Sequence, residues 1–173
     1  MNLRHLSLLA CSAALLSACN SAEDSAEEIA APPSATLTTA AVPTAAPDGT
    51  ALVAGLWTVS EDAAGASASF GEPGAAPALV LACNTQNRAV TLTRIGAGTA
   101  PAAFVVEAGG QAARLDMVPN ADGSAMTAAI EPTLPIFAAF SAADTAIAIT
   151  SPAGEKLQYP TNAGIVRVLE ACS

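Results

Sequence analysis

The chain has 173 residues, of which 15 are acidic and 6 are basic, giving a formal net charge of −9 at pH 7. This length provides for one domain, and the negative charge repels phosphate backbones, which excludes nucleic-acid binding. Hydrophobic residues make up 52% of the chain, many of them alanine. Beyond the N-terminus no apolar run reaches the roughly 18 to 20 residues that a membrane-spanning helix needs.

Residues 1–18 predict a secretory signal peptide. A basic head at Arg4 precedes an apolar stretch over residues 6–16, and small residues surround Cys19. The sequence LSAC at residues 16–19 resembles the lipobox of bacterial lipoproteins, in which the cysteine is acylated and becomes the first mature residue. An ordinary signal peptide with a coincidental cysteine is the alternative. Asn20 is not the aspartate that retains such lipoproteins in the inner membrane, so we expect Cys19 to anchor the protein to the outer membrane.

Residues 19–50 predict a flexible, acidic tether. This segment contains five acidic residues, no basic residue and four prolines, and it lacks the large apolar side chains that offset the entropy of ordering. About 30 such residues have a root-mean-square reach of roughly 30 Å. The acidic residues could instead form a cation or partner site, although a solvated spacer is the simpler interpretation.

Residues 51–173 predict a β-rich domain that faces the periplasm. Its clearest feature is a hairpin over residues 78–94, in which Leu79, Leu81 and Cys83 alternate with smaller residues before a polar turn. Val90 and Leu92 continue the alternation after the turn, so the hairpin has one apolar face. Further strands are predicted at residues 55–59, 66–70, 104–107, 111–117, 125–130, 145–150 and 156–159.

Turn residues connect these strands. Gly109-Gly110 suits the positive φ angles of a tight hairpin, and residues 119–123 form another turn, so successive hairpins predict a meander. Phe137 and Phe140 share a helical face, which predicts a short helix or single turn over residues 135–141.

The C-terminus predicts a second short helix. Ile165, Val168, Leu169 and Cys172 follow the i, i+3, i+4, i+7 spacing of a buried helical stripe, with Thr161 or Asn162 as the N-cap. The β-branched residues in this segment leave a strand as the alternative. The expected fold is therefore mainly β: a single antiparallel sandwich or small barrel-like domain with one or two short helices.

The cysteines predict one disulfide. Cys11 is lost with the signal peptide and Cys19 carries lipid, which leaves Cys83 and Cys172 in an exported domain. A redox role requires an exposed thiol of low pKa, and Arg88 is the one nearby positive charge, so we expect a structural bond.

Candidate catalytic groups are sparse. His5 lies in the signal peptide, so the mature chain has no histidine to act as general base or metal ligand. Lys156 could activate a serine, but it lies in a turn-rich hairpin. We therefore expect no enzyme activity and no cofactor.

The candidate carboxylate pairs and metal ligands give equally weak indications of a catalytic or metal site. Glu61 and Asp62 are adjacent, so they point apart on a strand or lie in a loop, and Asp116 and Asp122 flank a turn. Asn120, Asp122 and Ser124 have the alternate oxygen spacing of a calcium loop, but the rest of the twelve-residue pattern is missing. No metal site is expected.

Trp57 lies in Gly55-Leu56-Trp57, which matches the G-x-W at the start of lipocalin barrels. The match covers three residues, and the chain has few aromatic residues for a ligand cup. An ordinary core anchor is the favoured interpretation of Trp57.

Several weak motifs together resemble a family of small alphaproteobacterial envelope lipoproteins of unknown function. They are Trp57, residues 68–71 (ASFG), Leu79-x-Leu81-x-Cys83, residues 88–94 (RAVTLTR), residues 139–141 (AFS) and residues 167–172 (RVLEAC), and they span most of residues 55–173. Members often carry basic residues after the Phe-Ser pair, whereas this chain has Ala142, Ala143 and Asp144. The resemblance implies no activity.

The expected function is a non-catalytic binding or structural module, held to the envelope by lipid on Cys19 and possessing a protein partner there. A lysozyme-inhibitor-like lipoprotein is one alternative, because ten acids and five bases over residues 51–173 give a charge of −5 that suits a basic enzyme. The characteristic tyrosine-bearing inhibitory stretch is missing. An envelope hydrolase is the other alternative.

Overall fold

The structure is a computed structural model that describes residues 43–96 and 98–173. It contains nine strands, two short helices and a 3-10 turn at Ala139–Ser141. The strands are β1 Leu56–Asp62, β2 Gly65–Gly71, β3 Leu79–Asn84, β4 Ala89–Ile95, β5 Ala102–Ala108, β6 Gln111–Pro119, β7 Ala125–Ile130, β8 Ala146–Thr150 and β9 Lys156–Pro160, and the helices are α1 Pro135–Ala138 and α2 Ile165–Glu170. The prediction of a mainly β domain is confirmed. The signal peptide, Cys19 and the tether up to residue 42 lie outside the described residues.

All nine strands form one antiparallel sheet in the order β1-β2-β3-β4-β7-β6-β5-β8-β9. The strands at the two ends of this order approach each other, because the indole Nε1 of Trp57 in β1 donates a hydrogen bond to the carbonyl oxygen of Pro160 in β9 at 2.6 Å. The sheet therefore curls into a half-barrel rather than forming a two-sheet sandwich.

The local hairpins are confirmed, but their order in the sheet differs from a meander. After β4 the chain crosses to β5, returns through β6 to β7, and places β7 beside β4. β8 then pairs with the other side of β5. β6 and β7 share only two residue pairs, Val118 with Thr127 and Pro119 with Met126. Pairings between strands distant in sequence produce this order, and alternation within each strand carries no information about them.

The buried face of the sheet is packed by the helical segments. Phe137 and Phe140 from α1 and the 3-10 turn, with Ile165 and Val168 from α2, are each at most 1% exposed and belong to the same core cluster as the inward side chains of the strands. Burying a side chain of this size contributes about 1.5–3 kcal/mol each. The interior of the half-barrel is therefore filled by the protein itself.

Three aromatic rings hold the two ends of the sheet together. The Phe70 ring of β2 lies 5.3 Å from Trp57 and 5.4 Å from Tyr159 of β9, with the second pair edge to face. Such pairs add about 0.5–1.5 kcal/mol to the burial of the rings. Trp57 is thus a core anchor, as its interpretation from sequence expected.

The C-terminal helix is confirmed, whereas its predicted cap is wrong. Gly164 occupies the N-cap position of α2, and Asn162 Oδ1 accepts from the Gly164 N–H at 2.8 Å in a turn that precedes the helix. The Thr161 hydroxyl donates instead to the Ala142 carbonyl at 2.6 Å. Both polar side chains stabilise the connection that leads into α2.

The predicted disulfide is present. Cys83 in β3 is bonded to Cys172, just after α2, with their Cα atoms 5.8 Å apart and a sequence separation of 89. Both cysteines are buried. The bond fastens the last helix to the inner face of the central hairpin.

Residues 43–50, which the sequence assigned to the tether, contact the sheet. Ala46 is buried, and the Val53 N–H just beyond this segment donates to the Gln158 carbonyl of β9 at 2.8 Å. Asp48 Oδ2 accepts from the Gln158 side-chain amide at 3.4 Å. Backbone and polar contacts, rather than large apolar side chains, hold this segment against the sheet. For that reason its composition did not predict that it is ordered.

Candidate functional site

The lysine considered as a catalytic group forms a surface ion pair. Lys156 Nζ lies 3.1 Å from Glu107 Oε2, and both side chains are 46% exposed. Lys156 is thus used in an ion pair at the surface, and this position does not favour activation of a serine.

The adjacent acids of β1 point apart and have separate structural partners. Glu61 pairs with Arg167 of α2. Asp62 Oδ1 accepts from the N–H groups of Ala64 at 2.7 Å and Gly65 at 3.1 Å, which closes the turn into β2. The structure does not bring these two carboxylates together.

The alternate oxygens at residues 120–124 are used within their own turn. Asn120 Oδ1 accepts from the Ala125 N–H at 3.0 Å, and Asn120 Nδ2 donates to Ser124 Oγ at the same distance. Asp122 accepts from the hydroxyl and the backbone N–H of Ser124, which lowers the pKa of the Asp122 carboxyl below its ordinary value. Asp116 pairs with Arg114 on the surface.

Metal binding has no evident site in the part of the chain that the structure describes. Over residues 43–96 and 98–173, no three His, Cys, Asp or Glu side chains are grouped so as to hold an ion. Within the same residues, none of the helices has the length and apolar character to cross a membrane.

A polar groove lies where residues 46–48 meet β5, β8 and β9. Its volume is about 550 Å³, and its charged side chains are Asp48, Glu107, Asp144 and Lys156. The pKa of the Asp48 carboxyl is lowered, chiefly because the backbone N–H of Thr50 donates to it. We call this feature the acidic groove. The sequence did not indicate this groove, because Asp48 lies in the segment that was expected to be a tether.

The segment after Phe140 contributes to this groove rather than to an anion site. Ala142, Ala143 and Asp144 are exposed, and Asp144 adopts a positive φ of 55°. An acid at this point repels anions, so this surface does not favour an anionic ligand.

The outer face of β1, β2, β3, β4, β7 and β6 carries two rows of small, uncharged side chains. The register aligns Thr58, Ser69, Val80, Thr93, Thr127 and Val118 in one row, and Ser60, Ser67, Ala82, Thr91 and Ala129 in the other. We call these eleven residues the hydroxyl face. All of them are exposed or half-buried.

Hydrogen bonds between neighbouring strands order the hydroxyl face. Ser60 Oγ and Ser67 Oγ are 2.9 Å apart, as are Thr93 Oγ1 and Thr127 Oγ1. Cross-strand Ser and Thr pairs of this kind contribute roughly 0.2–1 kcal/mol. Seven hydroxyl-bearing residues and four apolar ones make a surface without charged side chains on a strongly acidic protein.

The rest of the outer surface differs from the hydroxyl face in charge. Glu107 in β5, Arg114 and Asp116 in β6 and Lys156 in β9 are all exposed to solvent as ion pairs. The sequence indicated the Ser and Thr alternation within single strands. Only the register across six strands shows that these residues form one surface.

No protein-family model, curated protein or solved structure matches this chain.

Proposed function

We propose that the protein is a non-catalytic lipoprotein of the cell envelope, a binding or structural module tethered to the outer membrane by lipid on Cys19. The lipobox-like residues 16–19 support the anchor, and the Cys83–Cys172 bond supports an oxidising compartment. The domain faces the periplasm in this proposal.

The hydroxyl face is the observation that carries the binding role. Specific protein interfaces are depleted of charge at their centres, and small side chains on a sheet surface permit close approach of a partner. The domain has a charge of −5 over residues 51–173. Its eleven uncharged residues on one face therefore distinguish that face from the rest of the surface. We propose that this face contacts an envelope component.

Site-specific photocrosslinking in intact cells tests this role. A photoreactive amino acid is placed at Ser69 or Thr91 within the hydroxyl face, and at Arg114 on the outer surface of β6 as the control. We expect a discrete crosslinked adduct with an envelope component from Ser69 and from Thr91, and none from the control position. Equal labelling from all three positions would remove the hydroxyl face as the binding surface.

A second candidate, lysozyme inhibition, is favoured by the acidic groove. Three carboxylates and one ammonium line it, so a basic side chain of a lysozyme would find complementary charge. The test is a lysozyme activity assay with micromolar protein, and a matched Asp48→Asn, Asp144→Asn variant. Full lysozyme activity in the presence of the unaltered protein would discard this candidate.

A further inference from the structure

The outer edge of β1 has unpaired backbone groups. The two-residue turn between Asp62 and Gly65 makes these residues a hydrogen-bonded pair, and such pairs alternate along an antiparallel ladder. The backbone groups of Trp57, Val59 and Glu61 therefore point away from β2. In the described part of the chain, no backbone group outside β2 bonds to β1.

The opposite edge of the sheet is covered. The Val53 N–H bonds to the Gln158 carbonyl of β9, and residues 43–52 form a turn, closed by the Ala45–Ala51 bridge, beside that strand. The chain thus shields the β9 edge, whereas β1 meets β9 through the Trp57 indole on the inner face and keeps its own edge backbone groups unpaired. Strand addition at β1 would consequently end after one step, instead of propagating into a fibre.

We propose that two copies of this chain associate through β1, pairing antiparallel about a two-fold axis at Val59. In this register Val59 faces Val59 of the second copy, and Trp57 faces Glu61 of the second copy. It is the register in which all three residues with outward backbone groups find partners and all seven residues of β1 take part. The contact continues the nine-stranded sheet of one copy into that of the other.

The charges of β1 permit this contact. Acidic residues on an edge strand commonly oppose pairing, but Glu61 is already neutralised by Arg167, and Asp62 accepts from turn N–H groups of its own chain. The register places Asp62 opposite Leu56, so no two like charges face each other.

The outer surface supports a second copy over an unrelated peptide. Thr58 lies opposite Ser60 of the second copy, so both rows of the hydroxyl face continue across the two-fold axis without a break in composition. A seven-residue strand is about 24 Å long and buries much less than the roughly 1,200 Å² of a stable interface. The dimer is therefore weak and forms at high local concentration.

Disulfide trapping tests the register. Thr58 and Ser60 of opposite copies would form a pair that is not hydrogen-bonded, with Cα atoms about 4.5 Å apart, within reach of a disulfide. Purified full-length T58C and S60C chains, in which serine replaces Cys11 and Cys19 so that each chain has one unpaired thiol, are mixed at high concentration and oxidised mildly. The control mixes S67C and S69C chains, whose cysteines have the same spacing on the same face but lie on β2.

We expect the yield of crosslinked dimer from the T58C and S60C mixture to be on the order of tenfold above that of the control mixture, because the strand pairing holds the two thiols together. T58C alone and S60C alone should give little dimer, since identical positions lie diagonally across the pair at about 7–8 Å. Urea midpoints close to that of the unaltered chain show that each variant is folded. Equal crosslinking in both mixtures, or in T58C alone, would overturn the inference. The result does not depend on lipid at Cys19.

Discussion

The disulfide should supply a large part of the domain's stability. Replacing both cysteines, as Cys83→Ala with Cys172→Ala, removes the bond without leaving an unpaired thiol. The bond closes a loop across 89 positions. The chain-entropy relation for about 90 residues gives a loss of about 4.5 kcal/mol at 25 °C. Small domains have net stabilities of roughly 5–15 kcal/mol, so this loss is a major fraction.

Urea unfolding followed by the fluorescence of Trp57 measures this loss, since the chain has one tryptophan. With a slope of about 1.5 kcal/mol/M, the midpoint should fall by about 3 M. The unaltered protein under reducing conditions is the matched control, and it should unfold at the same urea concentration as the double variant. A loss below about 1 kcal/mol would mean that the bond does not constrain the unfolded chain, contrary to the chain-entropy relation.

Three further predictions concern single side chains. Tyr159 is the chain's one tyrosine and is buried, and burial raises its pKa above the ordinary value of 10.0. Ultraviolet titration should show Tyr159 ionising at a higher pH in the folded protein than in the urea-unfolded protein. Because the folded pKa is the higher one, the stabilising contribution is complete below pH 10 and is lost as the pH rises through the folded value, and Tyr159→Phe should remove that alkaline loss. Gly65→Ala should destabilise the domain by several kcal/mol, since the added Cβ would lie 1.9 Å from the Cys83 carbonyl oxygen. The control Gly74→Ala, with open space and a φ of +81°, should cost only about 1–2 kcal/mol. Equal midpoints of the two variants in thermal unfolding would contradict this. Trp57→Phe should cost about 1–3 kcal/mol by circular dichroism in urea, because the carbonyl that accepts from the indole loses its partner.

Local features of this fold could be predicted from the sequence. Period-two alternation marks β2, β3 and β4, the Gly109-Gly110 pair marks the turn between β5 and β6, and the two glycines adopt φ angles of 54° and 74°. These signals act between residues close in sequence. They are strong here because each strand has one buried face.

Contacts between residues distant in sequence could not be predicted in the same way. The pairing of β4 with β7 and of β5 with β8 depends on which strands share the core, and alternation is the same for either neighbour. The order of residues 43–50 depends on Gln158, more than a hundred positions away. The hydroxyl face likewise requires the register of six strands.

The proposed lipid anchor on Cys19 decides the compartment of the domain, and with it the molecules that the hydroxyl face can meet. Mass spectrometry of the mature chain from the membrane fraction tests this anchor. We expect a chain that begins at Cys19 and carries acyl groups there, and a Cys19→Ser chain that leaves the membrane fraction. A mature chain with an unmodified Cys19, recovered with the soluble proteins, would contradict it.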